Sequence, residues 1–265
     1  SNDTATTEIY TLSPHDARPI STWLRSQLKT NVQAKFVIKG NSPTIVKRRY
    51  LESYFQLPMF AINFLNNDPL SDAEQSDACQ QLGDLDRYDL VIVTDYGHQM
   101  LAPRVIETLS NGAKFLAVNT QSNAANRGFN TISKYSRADY ISLAKHELQL
   151  ECRSLTGDLS QMLIDVGQRS YASTIVVTLG KLGCLGYNRR AGFHQAPALA
   201  TKVVDRVGAG DAFFGFTSLC AAIDTPLDIL AFLGNVAGAE AVAVVGNKQT
   251  MDLLPLKRHI ESLFK

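Results

Sequence analysis

The sequence predicts a doubly wound, mostly parallel α/β sheet with helices on both faces and a small β flap near its front. Three observations predict it. Short apolar runs alternate with amphipathic stretches over most of the chain, the pattern of repeating strand–helix units. Several runs are apolar throughout, such as Leu90-Val91-Ile92-Val93 and Ile175-Val176-Val177, which suits parallel strands covered on both sides. Residues 34–65 instead hold short strand-like pieces broken by charge, as at Lys47-Arg48-Arg49, with no helix signal between them.

The elements follow in order. Strands are expected at Lys35–Lys39, Thr44–Leu51, Met59–Phe64, Asp89–Thr94, Lys114–Asn119, Tyr140–Leu143, Thr174–Leu179 and Cys184–Asn188. Ser71-Asp72-Ala73-Glu74 reads as a capping box opening a helix toward Leu82, because a serine hydroxyl and a glutamate three residues on can satisfy each other's free backbone N–H groups. Pro103 opens a helix over Val105–Ser110, and Asn111-Gly112 stops it. Further helices are expected at Lys145–Ser154, Asp158–Gln168, Asp211–Ile223, Leu227–Val244 and Leu256–Phe264. The whole, 1–265, reads as a single domain, with the flap at about residues 34–65 and an α/β core over 66–265.

Composition excludes several classes. With 45% apolar and 19% charged residues the chain is ordinary globular material rather than a disordered polymer. A net charge of +1 offers no field for nucleic acid or a membrane surface. No stretch approaches the roughly 20 apolar residues needed to span a bilayer, and no segment has the form of a secretory signal. The cysteines at 79, 152, 184 and 220 form no C-x-x-C pair and have no histidine cluster nearby. Reduced thiols in a cytoplasmic protein are the expectation.

The sharpest local signal is Val203-Val204-Asp205-Arg206-Val207-Gly208-Ala209-Gly210-Asp211-Ala212-Phe213-Phe214-Gly215. A strand-like stretch runs into a small-residue turn and then into an apolar helix. Glycines let successive N–H groups point into one concavity, and the helix behind adds the positive end of its dipole. Asp211 then sits in the first helical turn, beside a site for an anion. Phosphoryl transfer asks for little more: in-line positioning, charge neutralisation and a base. A dinucleotide fingerprint would need glycine at Phe213, and a Walker A loop would need Gly-Lys-Ser/Thr.

On these residues the chain resembles the PfkB (ribokinase-like) family of carbohydrate kinases, whose C-terminal signature D-T-x-G-A-G-D appears as Asp205-Arg206-Val207-Gly208-Ala209-Gly210-Asp211. The resemblance implies Asp211 as catalytic base and Gly208, Ala209 and Gly210, with the Asp211 amide, as anion hole. It implies Asp205 and the Val207 carbonyl as holders of a monovalent cation such as K⁺. Val176-Val177-Thr178-Leu179-Gly180-Lys181-Leu182-Gly183 is similar to the family's V-T-x-G-x-x-G turn, implying that Thr178, Gly180 and Gly183 line the nucleotide. Gly234-Asn235-Val236-Ala237-Gly238-Ala239 resembles the helix beside the adenine, which implies Asn235 there. Pro43–Tyr50 and Leu90–Gly97 resemble the lid strand and the S-D-Y-G strand of the heptose-phosphate kinase branch, implying Lys47, Arg49 and Asp95 at the substrate. ATP and Mg²⁺ are the implied cofactors, with Glu147 organising the metal. The implied partner is a small sugar or sugar phosphate. A homodimer through the β lid is the assembly to look for.

The departures fall around the phosphates. N-x-x-E becomes Ala144-Lys145-His146-Glu147, D-Y-G-K-G becomes Asp95-Tyr96-Gly97-His98-Gln99, and D-P-K becomes Asn119-Thr120-Gln121. Ala144, His98 and Asn119 are thus the positions that leave activity open, with a domain that binds nucleotide or sugar phosphate without efficient transfer as the alternative, and a nucleoside or vitamin hydroxyl as a third. The polar Asn119–Asn130 segment is expected to be a long loop at a strand's carboxyl end, with a binding role open to it. Ser1–Lys35 shows neither the family's opening strand with its Asp nor its Gly-Gly and Asn segment. The resemblance joins at about Pro19, and the chain is expected to be a portion of a longer protein.

Overall fold

The computed structural model describes residues 18–54, 58–244 and 253–264; the first half of the Ser1–Lys35 segment lies outside them. The described residues up to Leu82, with His98–Ala102, form one unit, and Gly83–Gly97 with the chain from Pro103 form a second.

The first unit holds α1 (Arg18–Gln27), β1 (Val46–Leu51), β2 (Pro58–Phe64) and α2 (Asp72–Leu82). β1 and β2 pair antiparallel, with Val46, Arg48 and Tyr50 opposite Phe64, Ile62 and Phe60. On that face Tyr50 stacks on Phe60 at 4.5 Å between centroids, and Arg48 lies over the Phe64 ring. By the two-residue period of a strand, Lys47 and Arg49 share the other face, opposite Asn63 and Ala61. The capping box is present: Glu74 Oε2 accepts from the Ser71 N–H at 2.7 Å, and Ser71 Oγ accepts from the Glu74 N–H at 3.4 Å. Lys35–Lys39 is not a strand. Side-chain bonds tie it to α2: Gln81 Nε2 donates to the Phe36 carbonyl, and Lys35 Nζ donates to the Gln81 carbonyl. α1 is the helix ahead of the lid strands at which the resemblance joins, and Pro19 in its first turn is a helix-start residue.

The second unit is built on a six-stranded sheet in the order β3-β4-β5-β6-β7-β8: Val91–Asp95, Leu116–Thr120, Tyr140–Ala144, Thr174–Thr178, Cys184–Asn188 and Gly192–Ala196. The first four are parallel, and β7 and β8 add antiparallel hairpins. α3 (Pro103–Gly112) joins β3 to β4, α4 (Lys145–Glu151) and α5 (Leu159–Arg169) join β5 to β6, and α6 (Ala209–Ala222), α7 (Leu227–Val242) and α8 (Leu253–Leu263) follow β8. β4 is buried at every position, as continuous apolar runs require. β8 was not expected. Its polar His194 and Gln195 hide the alternation, but Asn188 Oδ1 accepts from the Arg190 and Ala191 amides and Gly192 has φ 79°, which are hairpin signals. Val203-Val204 does not form a strand either; both side chains are exposed.

Helices cover both faces. Ala117, Tyr140, Val176 and Cys184 pack with Phe213, Phe214, Leu230 and Ala231 of α6 and α7. Tyr140 donates its hydroxyl hydrogen to Thr217 Oγ1 at 2.7 Å in a fully buried contact. On the opposite face, Ile175 packs against Gly167 of α5. α6 and α7 approach closely because Gly234 has no side chain. A Cβ there would fall 2.5 Å from the Phe213 ring and 2.6 Å from the Thr217 methyl.

Gly234→Ala should therefore push α7 off α6. Overpacking costs about 1–3 kcal/mol, or roughly 2–10 °C in melting temperature for a protein of this size. Thermal denaturation of the variant measures it, and an unchanged or raised melting temperature would contradict the packing.

Candidate active site at the mouth of helix α6

The carboxyl ends of parallel strands are where open α/β sheets bind ligands, because loops and helix N-termini meet there. In the second unit this edge carries the ends of β3, β4, β5 and β6 and the N-terminus of α6. Gly208 precedes α6 with φ 85°, a left-handed conformation that favours glycine. The first ladder bond runs from the Ala212 N–H to the Gly208 carbonyl at 2.9 Å. Helix geometry leaves the amides of Ala209, Gly210 and Asp211 ahead of it without an i−4 acceptor. A Cβ on Gly210 would meet nothing within 4 Å. Alanine would favour the helix by about 1 kcal/mol, so glycine keeps an open approach to these amides. The donors, the helix dipole and the vacant volume fit a phosphate group.

Asp211 sits three residues into this turn and is partly exposed. Its Oδ1 accepts from Gln121 Nε2 at 2.6 Å and from the Tyr96 hydroxyl at 3.3 Å. These partners arrive from the strand ends by register. Ala117 faces α6, so Asn119 shares that face and Gln121 continues it beyond β4, and Ile92, paired with Ala117, puts Tyr96 on it beyond β3. Burial, and then the charge of Asp211, push the Tyr96 phenol above its ordinary value and keep its hydrogen in place as a donor.

The same period sends Asp95 to the other face. Its carboxylate is 2% exposed and fully engaged: Oδ2 pairs with Lys134 Nζ at 2.5 Å and accepts from the Tyr135 hydroxyl at 2.7 Å, while Oδ1 takes the Gly97 N–H at 2.9 Å. Asp95 therefore anchors its turn through Lys134 and Tyr135.

The Asn119–Asn130 loop is bound to the turn after β3. Asn123 Nδ2 and Asn126 Nδ2 each donate to the Tyr96 carbonyl at 2.9 Å. Asn130 Nδ2 donates to the carbonyls of Asp95 and Gln121, and Lys134 Nζ to Asn130 Oδ1. Gly97, at φ 69°, is required here, since a Cβ would lie 2.0 Å from Asn126 Nδ2.

Glu147 lies in the first turn of α4. One carboxylate oxygen accepts from the Ser122 N–H at 3.0 Å and the other from the Ala144 N–H at 2.7 Å. The reciprocal half of a capping box is absent because alanine has no side-chain acceptor. Asn119 donates Nδ2 to the Ser142 carbonyl at 2.7 Å, and its buried Oδ1 has no partner among the described residues. No group of three or more His, Cys, Asp or Glu residues among those described could hold a metal by itself. Mg²⁺ takes one or two carboxylates and draws its other ligands from phosphates and water; Glu147 and Asp211 are carboxylates at this edge.

Elsewhere Thr178 ends β6, and Gly180 (φ 60°) and Gly183 (φ 90°) shape the turn into β7. A Cβ on Gly183 would fall 2.0 Å from the Ala196 carbonyl, whereas one on Gly180 would meet open space. Asn235 is buried, and its Nδ2 donates to the Ala231 carbonyl at 3.0 Å and to Cys184 Sγ at 3.3 Å. Asp205 Oδ1 accepts from the Val207 N–H at 3.0 Å. A separate cleft of about 650 Å³, lined in part by Glu151, Arg153 and Arg169, opens at the far end of α4 and contains no residue of the α6 mouth.

An α/β sheet with helices on both faces and an open glycine-led helix mouth at its carboxyl edge is the architecture of ribokinase-like proteins. Ribokinase from Thermotoga maritima superposes with a TM-score of 0.65 at 15% identity, covering 84% of this chain and 72% of that one. Phosphofructokinase-2 from Escherichia coli in complex with potassium superposes at 0.62 with 16% identity, covering 78% and 67%. At such identities the likeness is one of fold. The chain belongs to the pfkB family of carbohydrate kinases, whose pattern matches residues 6–253 and so begins ahead of Pro19. A bifunctional protein HldE from Koribacter versatilis is 32% identical over 227 residues, 84% of this chain and 46% of that protein. Another from Wolinella succinogenes is 27% identical over 215 residues, 80% and 44%. The chain spans less than half the length of these relatives. Among the described residues no helix is long and apolar enough to cross a membrane.

Glu147 gives a pH prediction. Burial raises its pKa from the ordinary 4.5; the Ala144 and Ser122 amides oppose the rise and the Asp211 charge adds to it. The folded protein thus holds this proton more firmly than the unfolded chain. The resulting stability is present at low pH and is lost as pH rises through the raised folded value. The melting temperature of the wild type minus that of Glu147→Gln should fall as pH rises above the ordinary glutamate value of about 4.3; a flat or rising difference would contradict it.

Proposed function

We propose that this chain is an ATP-dependent phosphotransferase acting on a hydroxyl of a sugar or sugar phosphate, with Asp211 as the general base. The observation that carries the reading is the adjacency, at one helix mouth, of three amides without an i−4 acceptor and a partly exposed carboxylate. The amides of Ala209, Gly210 and Asp211 hold the phosphoryl group as negative charge develops on it. Asp211 Oδ2 accepts the hydroxyl proton as the acceptor oxygen approaches phosphorus. Thr178, Gly180 and Gly183 line the nucleotide phosphates, and Asn235 keeps α7 packed beneath them. Asp205 and the Val207 carbonyl supply oxygen ligands suited to K⁺. Glu147 offers its remaining lone pairs to water around Mg²⁺, a metal that supplies charge neutralisation and phosphate bridging when bound. Lys47 and Arg49, together on one face of β1, suit an anionic acceptor such as a sugar phosphate. The resemblance of Pro43–Tyr50 and Leu90–Gly97 to the heptose-phosphate branch favours a heptose phosphate.

A second reading has its own support. Ala144 in place of asparagine removes a side-chain oxygen, and Asn119 in place of aspartate removes a negative charge, from the surroundings of a metal. A domain so equipped would bind nucleotide and transfer slowly. Calorimetry with ATP, with and without Mg²⁺, and ADP release across a panel of sugars and sugar phosphates separate the two. Binding without turnover on any acceptor favours the second reading.

In the kinase reading, Asp211→Asn lowers kcat by about 10²–10⁴-fold while ATP affinity and melting temperature stay near wild type. Steady-state kinetics on the active acceptor is the check. An unchanged kcat would remove Asp211 from the chemistry.

A further inference from the structure

We propose that Gln121 and Tyr96 are positioning residues for Asp211, and that the asparagine-rich loop is the bracket that holds them in register; as a statement about catalysis this rests on Asp211 being the base. An aspartate three residues into a helix has a local alternative. Its short side chain can turn back onto free backbone amides at its own helix terminus, as capping carboxylates do. That conformer would place the carboxylate over the donors that must receive phosphate. In the structure both recorded bonds to Asp211 land on one oxygen: Gln121 Nε2 reaches Oδ1 at 2.6 Å and the Tyr96 hydroxyl reaches it at 3.3 Å. The carboxylate is held toward the strand ends. Oδ2 is left without a protein donor among the described residues, facing the duty of accepting a proton.

The two donors come from different strands, so their spacing must itself be fixed. Gln121 is tied on each side. Its N–H donates to the Asp95 carbonyl at 2.8 Å, its carbonyl accepts from Asn130 Nδ2 at 3.1 Å, and the next amide, Ser122, donates to Glu147. The Tyr96 carbonyl accepts from both Asn123 and Asn126. Asn126 and Asn130 thus touch both donor segments, and Lys134 closes the array by binding Asn130 Oδ1 and the Asp95 carboxylate. These side-chain amides spend their hydrogens on main-chain carbonyls of the protein, so the loop acts as scaffold rather than as a ligand-binding surface. Gly97 allows the closest approach in it.

The test uses Gln121→Met, which keeps length and volume but loses the donor, and Tyr96→Phe, which loses only the hydroxyl. Misplacing a reacting group by about 1 Å costs on the order of 10²-fold. Gln121→Met is therefore expected to lower kcat by about 10–100-fold and Tyr96→Phe by a smaller factor, with KM for both substrates and the melting temperature near wild type. If Asp211→Asn abolishes turnover while both variants keep kcat within about twofold of wild type, the positioning role is wrong and the base assignment stands. A second arm does not need turnover. The ¹³Cγ resonance of Asp211, assigned by its loss in Asp211→Asn, should move in both variants of the ligand-free protein. A resonance that stays in place in both overturns the proposal, even if no acceptor is phosphorylated and the kinase reading fails.

Discussion

Two hydrogen-bond donors from neighbouring strand ends converge on one oxygen of Asp211, at the open N-terminus of α6. The rest of the second unit can be read as what makes that meeting possible. The carboxylate and the free amides of one helix turn are natural partners for each other. They serve an outside anion only if something keeps them apart. Gln121 and Tyr96 do so, and they are in reach because β3 and β4 run parallel in a fixed register and end at the same level. The sheet sets the distance, and the loop asparagines remove the remaining freedom.

The placement of α6 depends in turn on the core. Phe213 and Phe214 pack on Tyr140, Val176 and Ala117, and the buried bond from Tyr140 to Thr217 fixes the helix along its axis. Gly234 lets α7 lie close enough to back it. A shift of α6 by the width of a methyl group would open the 2.6 Å contact between Gln121 and Asp211. Packing and chemistry are therefore linked through one rigid element, while charge at the site is sparse. Each carboxylate oxygen of Glu147 already accepts from a main-chain amide, and Asp95 is neutralised by Lys134 on the opposite face of the sheet.

Much of this was legible before any coordinates. Strand–helix alternation, the Ser71 capping box and the glycine turn before Asp211 are local patterns with local causes. What stayed hidden depends on pairing. The resemblance of Leu90–Gly97 to an S-D-Y-G strand implies Asp95 at the acceptor, but the face Asp95 takes follows from which residue of β4 lies beside it. Counting by two from Ala117 would have put Gln121 and Tyr96 toward α6 and Asp95 away from it, but only once the register was known. Lys134 and Tyr135 carry no motif at all; they matter because a turn places them against a carboxylate some 40 residues earlier in sequence. β8 was obscured by its polar residues, and Lys35–Lys39 looked like a strand though side-chain bonds tie it to α2.

The central claim is that the amides at the mouth of α6 grip a phosphate beside a restrained carboxylate. Amide ¹H–¹⁵N spectra recorded during titration with ATP and Mg²⁺ test it most directly. The account expects the resonances of Ala209, Gly210 and Asp211 to shift to the downfield side on saturation, as new hydrogen bonds to phosphate oxygens form. Saturable binding that leaves these three resonances in place would contradict it.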